Sequence, residues 1–218
     1  PTILVGGQAV IEGVMMRVPG AYATAVRDPE GKIHVDRKNF QSLGEKSWLW
    51  KQPILRGMAG LYESMKMGME TLQWSADIAI PDEKDKPKNK LVDLLSSLFA
   101  ICLAITLFMI APMWLTTKTL DIEKEAFAFN LTSGAFRISF FIIYLFLISR
   151  MNDVKRLFQY HGAEHRVVYN FESGKEISVK NAQSFPSQHP RCGTSFMFIV
   201  LLSAIIVFSI IDTFIMKF

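Results

Sequence analysis

The sequence predicts an α+β membrane protein: three transmembrane helices and a small cytoplasmic domain of N-terminal strands plus an amphipathic helix. Three observations predict it. Long apolar runs fill most of the chain after residue 93, short alternating segments precede residue 40, and an apolar period of three to four residues begins at Pro53. The runs give spans at about 94–115, 131–149 and 193–211, since crossing roughly 30 Å of hydrocarbon at 1.5 Å per residue takes about 20 residues.

Leu94 to Leu115 carries no charged side chain, and Gly193 to Ile211 runs uninterrupted to Asp212. The middle span is weaker because it includes Arg137. It is expected to place that residue near one interface, where the guanidinium reaches headgroups, or else to turn it into the protein interior as part of a polar pocket. Arg150, Lys155, Arg156, Arg166 and Arg191 lie between the second and third spans, and Lys84, Lys86, Lys88 and Lys90 precede the first. The positive-inside rule then puts the N-terminus and the 150–192 loop on the cytoplasmic side of a multi-pass membrane protein.

Cys102 lies within the first span and Cys192 at the mouth of the third, so no disulfide is expected. A formal net charge of +4 fits contact with anionic headgroups, and no nucleic-acid partner is expected. No cleavable signal segment is visible, and a chain opening on Pro1 is expected to have had its start trimmed.

Along the region 1–90, residues 3–20 read as a strand, a glycine turn and a second buried strand. Ala21 to Val26 and Lys32 to Arg37 flank the turn sequence Asp28-Pro29-Glu30-Gly31 and predict a hairpin. Ile54, Met58, Leu61, Met65, Met69 and Leu72 then mark one face of a helix over 53–78, started by Pro53. Packing of this Met-rich stripe over the strands is the favoured reading, and lying on the membrane surface the other. A charged linker, 81–90, leads to the transmembrane region 91–218. The 151–191 stretch is long for an unstructured connection and is expected to join the cytoplasmic domain.

That loop concentrates the chemistry. His161-Gly162-Ala163-Glu164-His165 has the form H-x-x-E-H, which on a helix sets two imidazoles one turn apart with a carboxylate beside them. It is the arrangement in which two histidines hold zinc and the glutamate acts as general base. His189-Pro190-Arg191-Cys192 adds an imidazole and a thiol three residues apart. Four donors, His161, His165, His189 and Cys192, would close a structural tetrahedron; three would leave a position for activated water. Cys192 is alternatively an inert thiol, or a nucleophile whose pKa is lowered by Arg191 and a helix N-terminus. Glu12, set in Val10-Ile11-Glu12-Gly13-Val14, needs a cation, hydrogen bonds or a metal if buried. Arg17 is its nearest partner in sequence, and a catalytic role beside the metal is the other reading. His34 reads as a surface imidazole.

Gly6-Gly7-Gln8-Ala9-Val10-Ile11-Glu12-Gly13-Val14-Met15-Met16-Arg17, together with the two histidine motifs and the Gly193-Thr194-Ser195-Phe196 that follows, resembles the YqhQ-like family of bacterial membrane proteins. The resemblance runs through most of the chain in the same order. The family is a domain of unknown function described as predicted metal-dependent enzymes, so the resemblance implies a metal site without a reaction, and it adds Gln8, Glu12 and Arg17 to the site. Members continue past the third span into a polar tail, whereas this sequence stops at Phe218.

Three functions follow. The first is a zinc-type hydrolase at the cytoplasmic face, with His161, His165 and His189 as ligands, Glu164 as base, and Gln8, Arg17 and Arg191 in support. Its substrate would be a lipid, a peptide or a small molecule. The second is a non-catalytic scaffold or assembly factor stapled by a closed Cys/His site, with a membrane-protein partner or a second copy. The third is a metal-free enzyme built on Cys192 and a histidine.

Overall fold

The computed structural model describes residues 3, 5–81, 90–120 and 126–215. The charged stretch 82–89 of the expected linker, and 121–125 between the first two spans, lie outside the described residues. The chain forms two compact units, Pro1–Lys86 with Asn152–His189, and Pro87–Met151 with Pro190–Phe218.

The first unit is built on an antiparallel four-stranded meander, β1 (Gly6–Val10), β2 (Gly13–Val18), β3 (Ala21–Arg27) and β4 (Ile33–Asn39), in sequential order. Val10 pairs with Gly13 and Val26 with His34, so consecutive strands are joined by short local turns. The first turn is made by Ile11 and Glu12 rather than by glycines; Gly6 and Gly7 lie inside β1. In the turn between β3 and β4, His34 Nε2 lies 2.7 Å from Asp28 Oδ2.

Period-two alternation sends Gln8, Val10, Met15, Arg17 and Tyr22 to one face and Gly7 and Ala9 to the other. The first face is covered by α2 (Pro53–Ala79), entered through a short helical turn, α1 (Leu43–Lys46), whose N-cap is Ser42. Val10, Met15, Tyr22, Val26 and Met67 form the core, with Phe40, Trp74 and Ile78 at its margin.

The face that α2 buries is Ala59, Glu63, Met67, Gly68, Thr71 and Ser75. Ile54, Met58, Leu61, Met65 and Met69 are 60–79% exposed. The Met-rich stripe therefore does not cover the strands, contrary to the favoured reading. The reason is steric and polar. A Cβ at Gly68 would fall 2.8 Å from Gln8 Oε1, so only a small residue lets the helix approach β1. The sheet side also offers polar partners, since Ser75 Oγ accepts from the Ile11 amide at 3.1 Å.

The loop after the second span folds into α6 (Asn152–Glu172) and the short α7 (Val179–Gln183). Helix α6 packs on β1 and β2. Gly174, at φ +70°, lies just past the end of α6 where the chain turns back. Asn170 and Asn181 both donate to the Glu176 carbonyl, at 3.2 and 2.9 Å, to fix that return.

The second unit contains three helices long and apolar enough to cross a membrane, Leu94–Lys118, Ala126–Ile148 and Gly193–Ile215. The first comprises α3 (Lys90–Ile105), a π-helical turn at Thr106–Ile110, and α4 (Ala111–Leu120). The others are α5 (Ala126–Ile148) and α8 (Gly193–Ile215). Helix α5 begins at Ala126 rather than near residue 131, which sets Arg137 at its midpoint instead of close to one end. Helices α5 and α8 pack where a Cβ on Gly134 would fall 2.6 Å from Ile205 Cγ2, the close approach that small residues permit in membranes. Asn130 Nδ2 donates to Asp212 Oδ2 across the same pair at 2.8 Å.

Candidate metal centre

Spacing along α6 builds the site. Arg156, Tyr160 and Glu164 recur every four residues and share one face; His161 and His165 form the adjacent ridge. The imidazole centroids of His161 and His165 are 4.3 Å apart, and a ligand nitrogen of each lies within 4.8 Å of the other. Glu164 Oε2 stands 3.8 Å from His161 Nδ1 and 3.6 Å from His165 Nε2. Glu164 and His165 are buried, while the His161 side chain is 33% exposed.

The tautomer of His165 is fixed by its partner. Its Nδ1 lies 2.6 Å from the Ser187 carbonyl oxygen, which only accepts, so Nδ1 carries a proton and, in the neutral ring, Nε2 is the nitrogen that can ligate. This is how metal-binding histidines are held. Burial, with the His165 charge assisting, holds the His161 imidazole below its ordinary pKa and so favours the neutral ligand form. Burial also raises the Glu164 carboxyl, against the opposing effect of His165. At 3.6 and 3.8 Å from the two imidazoles, the carboxylate stands beside both of them at more than hydrogen-bond distance.

Glycine makes the room for this carboxylate. A Cβ on Gly7 would fall 2.5 Å from Glu164 Cγ and 2.8 Å from Cδ. Gly7 in β1 thus acts on the His-x-x-Glu-His helix directly, by leaving space.

Glu12 finds a different cation from the one nearest in sequence. Arg156 grips it in a fork, Nε to Oε1 at 2.7 Å and Nη2 to Oε2 at 2.9 Å, and the Tyr160 hydroxyl donates to Oε2 at 3.0 Å. Arg156 holds the Glu12 carboxyl below its ordinary pKa; burial opposes this and Tyr160 assists it. Glu12 reaches this position with φ +50°, a left-handed conformation that glycine adopts at less cost. Arg17 instead stacks on Phe40 at 4.4 Å and lies 3.8 Å from Glu63 Oε2. Glu63 also accepts from Ser42 Oγ and the Leu43 amide. Gln8 and Arg17 are therefore on the α2 face of the sheet, away from Glu164.

His189 is buried against Tyr169, ring centroids 4.3 Å apart, and its Nε2 lies 3.8 Å from Glu172 Oε2. Its ring is 5.8 Å from that of His165. It thus stands one step removed from the His161–His165 pair. In the membrane unit Cys192 is buried, its Sγ 2.9 Å from Thr194 Oγ1, and Arg191 is exposed. Arg156 and Tyr160 were legible only as the continuation of a helical ridge, and the Ser187 carbonyl has no sequence signal.

Beside His161 opens a groove of about 570 Å³ lined by Lys155, Phe158, His161, Gly162, Arg166 and Ser187, among others. Arg166 Nε is buried with no hydrogen-bond partner among the described residues.

Among known proteins, the chain is similar to the uncharacterized protein YqhQ of Bacillus subtilis (strain 168), with 30% identity over 220 residues that cover 95% of this chain and 69% of the relative. No solved structure matches. Residues 52–217 match the family model described as protein of unknown function (DUF1385), a match that takes in the second half of the site and all three membrane helices. The chain is a multi-pass membrane protein with a possible metal site on α6, and it belongs to the DUF1385 family.

Proposed function

We propose that this protein is a metal-dependent hydrolase of the bacterial cytoplasmic membrane, acting at the cytoplasmic face on a substrate that carries an anionic group. The observation that carries the reading is the His161, Glu164 and His165 group opening through a half-exposed His161 onto a basic groove. His161 and His165 would hold the ion. The sequence supplies a thiol as the next donor. Cys192 follows His189 by three residues, so chain length alone keeps their Cα atoms within about 11 Å. A thiolate beside two imidazoles favours zinc over magnesium or calcium. Such an ion, when bound, supplies Lewis acidity and lowers the pKa of coordinated water.

The chain's own residues do the rest. Glu164, buried with a raised pKa, exchanges a proton at its carboxylate oxygens as general base and then acid. Ser187 fixes His165, and the Glu172 carboxylate beside His189 steadies the segment that leads to Cys192. Lys155 and Arg166 seat the anionic part of the substrate in the groove. An open groove against His161 favours this over a closed staple, in which every ligand would be sealed.

The test uses the full chain purified in detergent. The wild type is expected to hold close to one transition-metal ion, His161→Ala and Cys192→Ala to lose it, and Glu164→Gln to keep it while losing turnover on a panel of phosphate and carboxylate esters. A wild-type protein free of transition metal sinks the metal reading. Metal retention with undiminished turnover in Glu164→Gln sinks the assignment of the base.

A further inference from the structure

The membrane unit carries a second feature, independent of the metal reading. Arg137 occupies the midpoint of α5 (Ala126–Ile148), where a guanidinium is expensive to place and is normally paired or turned to a cavity. It borders a cavity of about 210 Å³ whose other walls are Phe108, Phe141, Met197, Phe198 and Leu201. Arg137 Nε is buried with no hydrogen-bond partner among the described residues. The aromatic wall is continuous, with Phe141 6.2 Å from Phe108 and 5.5 Å from Phe198, both edge to face.

A third observation falls at the same place. Phe108 sits within the π-helical turn Thr106–Ile110 of the first membrane helix. Such turns interrupt the regular backbone ladder and are frequent at functional sites. Here the turn places Phe108 in the wall of the same cavity as Arg137.

A cation in an otherwise apolar box selects its ligand by chemistry. A carboxylate or phosphate matches the guanidinium fork with two parallel hydrogen bonds, and the aromatic wall favours a hydrocarbon next to it. At about 30 Å³ per water the cavity holds roughly seven waters' worth of volume, enough for an oxyanion and its first methylenes but not for a whole lipid. The rest of the ligand must run out among the acyl chains. Met197, Phe198 and Leu201 lie roughly 6–12 Å along α8 from its start at Gly193, so the cavity lies within reach of one leaflet.

We propose that this cavity is a binding site for an anionic amphiphile, with its carboxylate or phosphate on Arg137 and its chain running along the wall formed by Phe141 and Phe198. The full chain in a neutral detergent is titrated with laurate, dilauroyl phosphatidic acid, dilauroyl phosphatidylcholine and inorganic phosphate, and bound species are read by native mass spectrometry. Laurate or phosphatidic acid is expected to bind, which identifies the head as carboxylate or phosphate. Phosphatidylcholine is expected to bind at least tenfold more weakly. Arg137→Gln should weaken the anionic ligand at least tenfold. Leu201→Trp, which keeps the arginine but fills the cavity, should do the same and decides the matter if Arg137→Gln fails to fold. Equal binding of phosphatidylcholine, equally tight binding of inorganic phosphate, or unchanged anionic binding in Leu201→Trp would overturn the proposal.

Discussion

Gly7→Ala tests the link between the N-terminal motif and the histidine helix. The added methyl carbon would stand 2.5 Å from Glu164 Cγ and 2.8 Å from Cδ, about 1 Å inside the usual 3.5–4.0 Å separation of packed carbons. Either the Glu164 side chain leaves its position or β1 and α6 move apart. Overpacking of this kind costs about 1–3 kcal/mol, offset by about 0.4–1 kcal/mol because alanine restricts the unfolded chain. Gly6 is the control, since a Cβ there meets nothing within 4 Å; Gly6→Ala is expected to be neutral or slightly stabilising. The assay is denaturant unfolding of the full chain in detergent, run with Glu164→Ala and the double variant. Removing Glu164 Cγ and Cδ takes away what the methyl strikes, so the cycle is expected to show about 1–2 kcal/mol of coupling. Equal stability of the Gly6 and Gly7 variants, or strict additivity with Glu164→Ala, would refute the reasoning.

On α2, Met67→Ala is expected to cost about 2–5 kcal/mol by cavity formation, because Met67 is 3% exposed. Met65→Ala and Met69→Ala should stay within about 0.5 kcal/mol in the same unfolding assay, as residues 63% and 70% exposed. In the membrane unit, Gly134→Leu is expected to push α5 from Ile205 and lower the detergent melting temperature, while Gly57→Leu, on the exposed side of α2 with open space around its Cβ, should cause no comparable steric clash. Arg156 lowers the folded-state pKa of Glu12 from 4.5, so this pair's stabilisation is complete above the unfolded value and is lost as pH falls through the folded one. The denaturation midpoint of the wild type should therefore fall more steeply below pH 4.5 than that of Arg156→Gln; parallel curves would show that the fork contributes nothing.

Much of the fold was legible because period alone decides it. The hairpin around Asp28 to Gly31 and the three spans follow from alternation and from length. What period cannot say is which face of an amphipathic helix meets its own domain. In α2 the larger apolar face stays outside, and the buried face is set by Gly68 against Gln8 and by Ser75 against the Ile11 amide. Those are contacts between residues far apart in sequence, and steric fit outweighed hydrophobicity there. The second span was read short for a related reason. Counting from 131 already gave sufficient length, but the helix runs on past Asn130, whose side chain is satisfied by Asp212 of another helix, to Ala126.

The candidate site was legible in its donors and illegible in its supports. His161, Glu164 and His165 share a helix, so a spacing of three and four residues already brings them together. The N-terminal motif had no such guide, and the structure divides it by strand alternation. Gly7 faces α6 and Gln8 faces α2, one residue apart in β1. Arg17 goes with Gln8, tied to Glu63. Glu12, at the turn, is turned by its positive φ toward Arg156 and Tyr160. One short segment thus clamps two helices on opposite faces of the sheet, and only its α6 half touches the helix that carries His161 and His165. A loss of metal in Gly7 or Glu12 variants, with metal kept in Gln8 and Arg17 variants that still fold, is what this division requires.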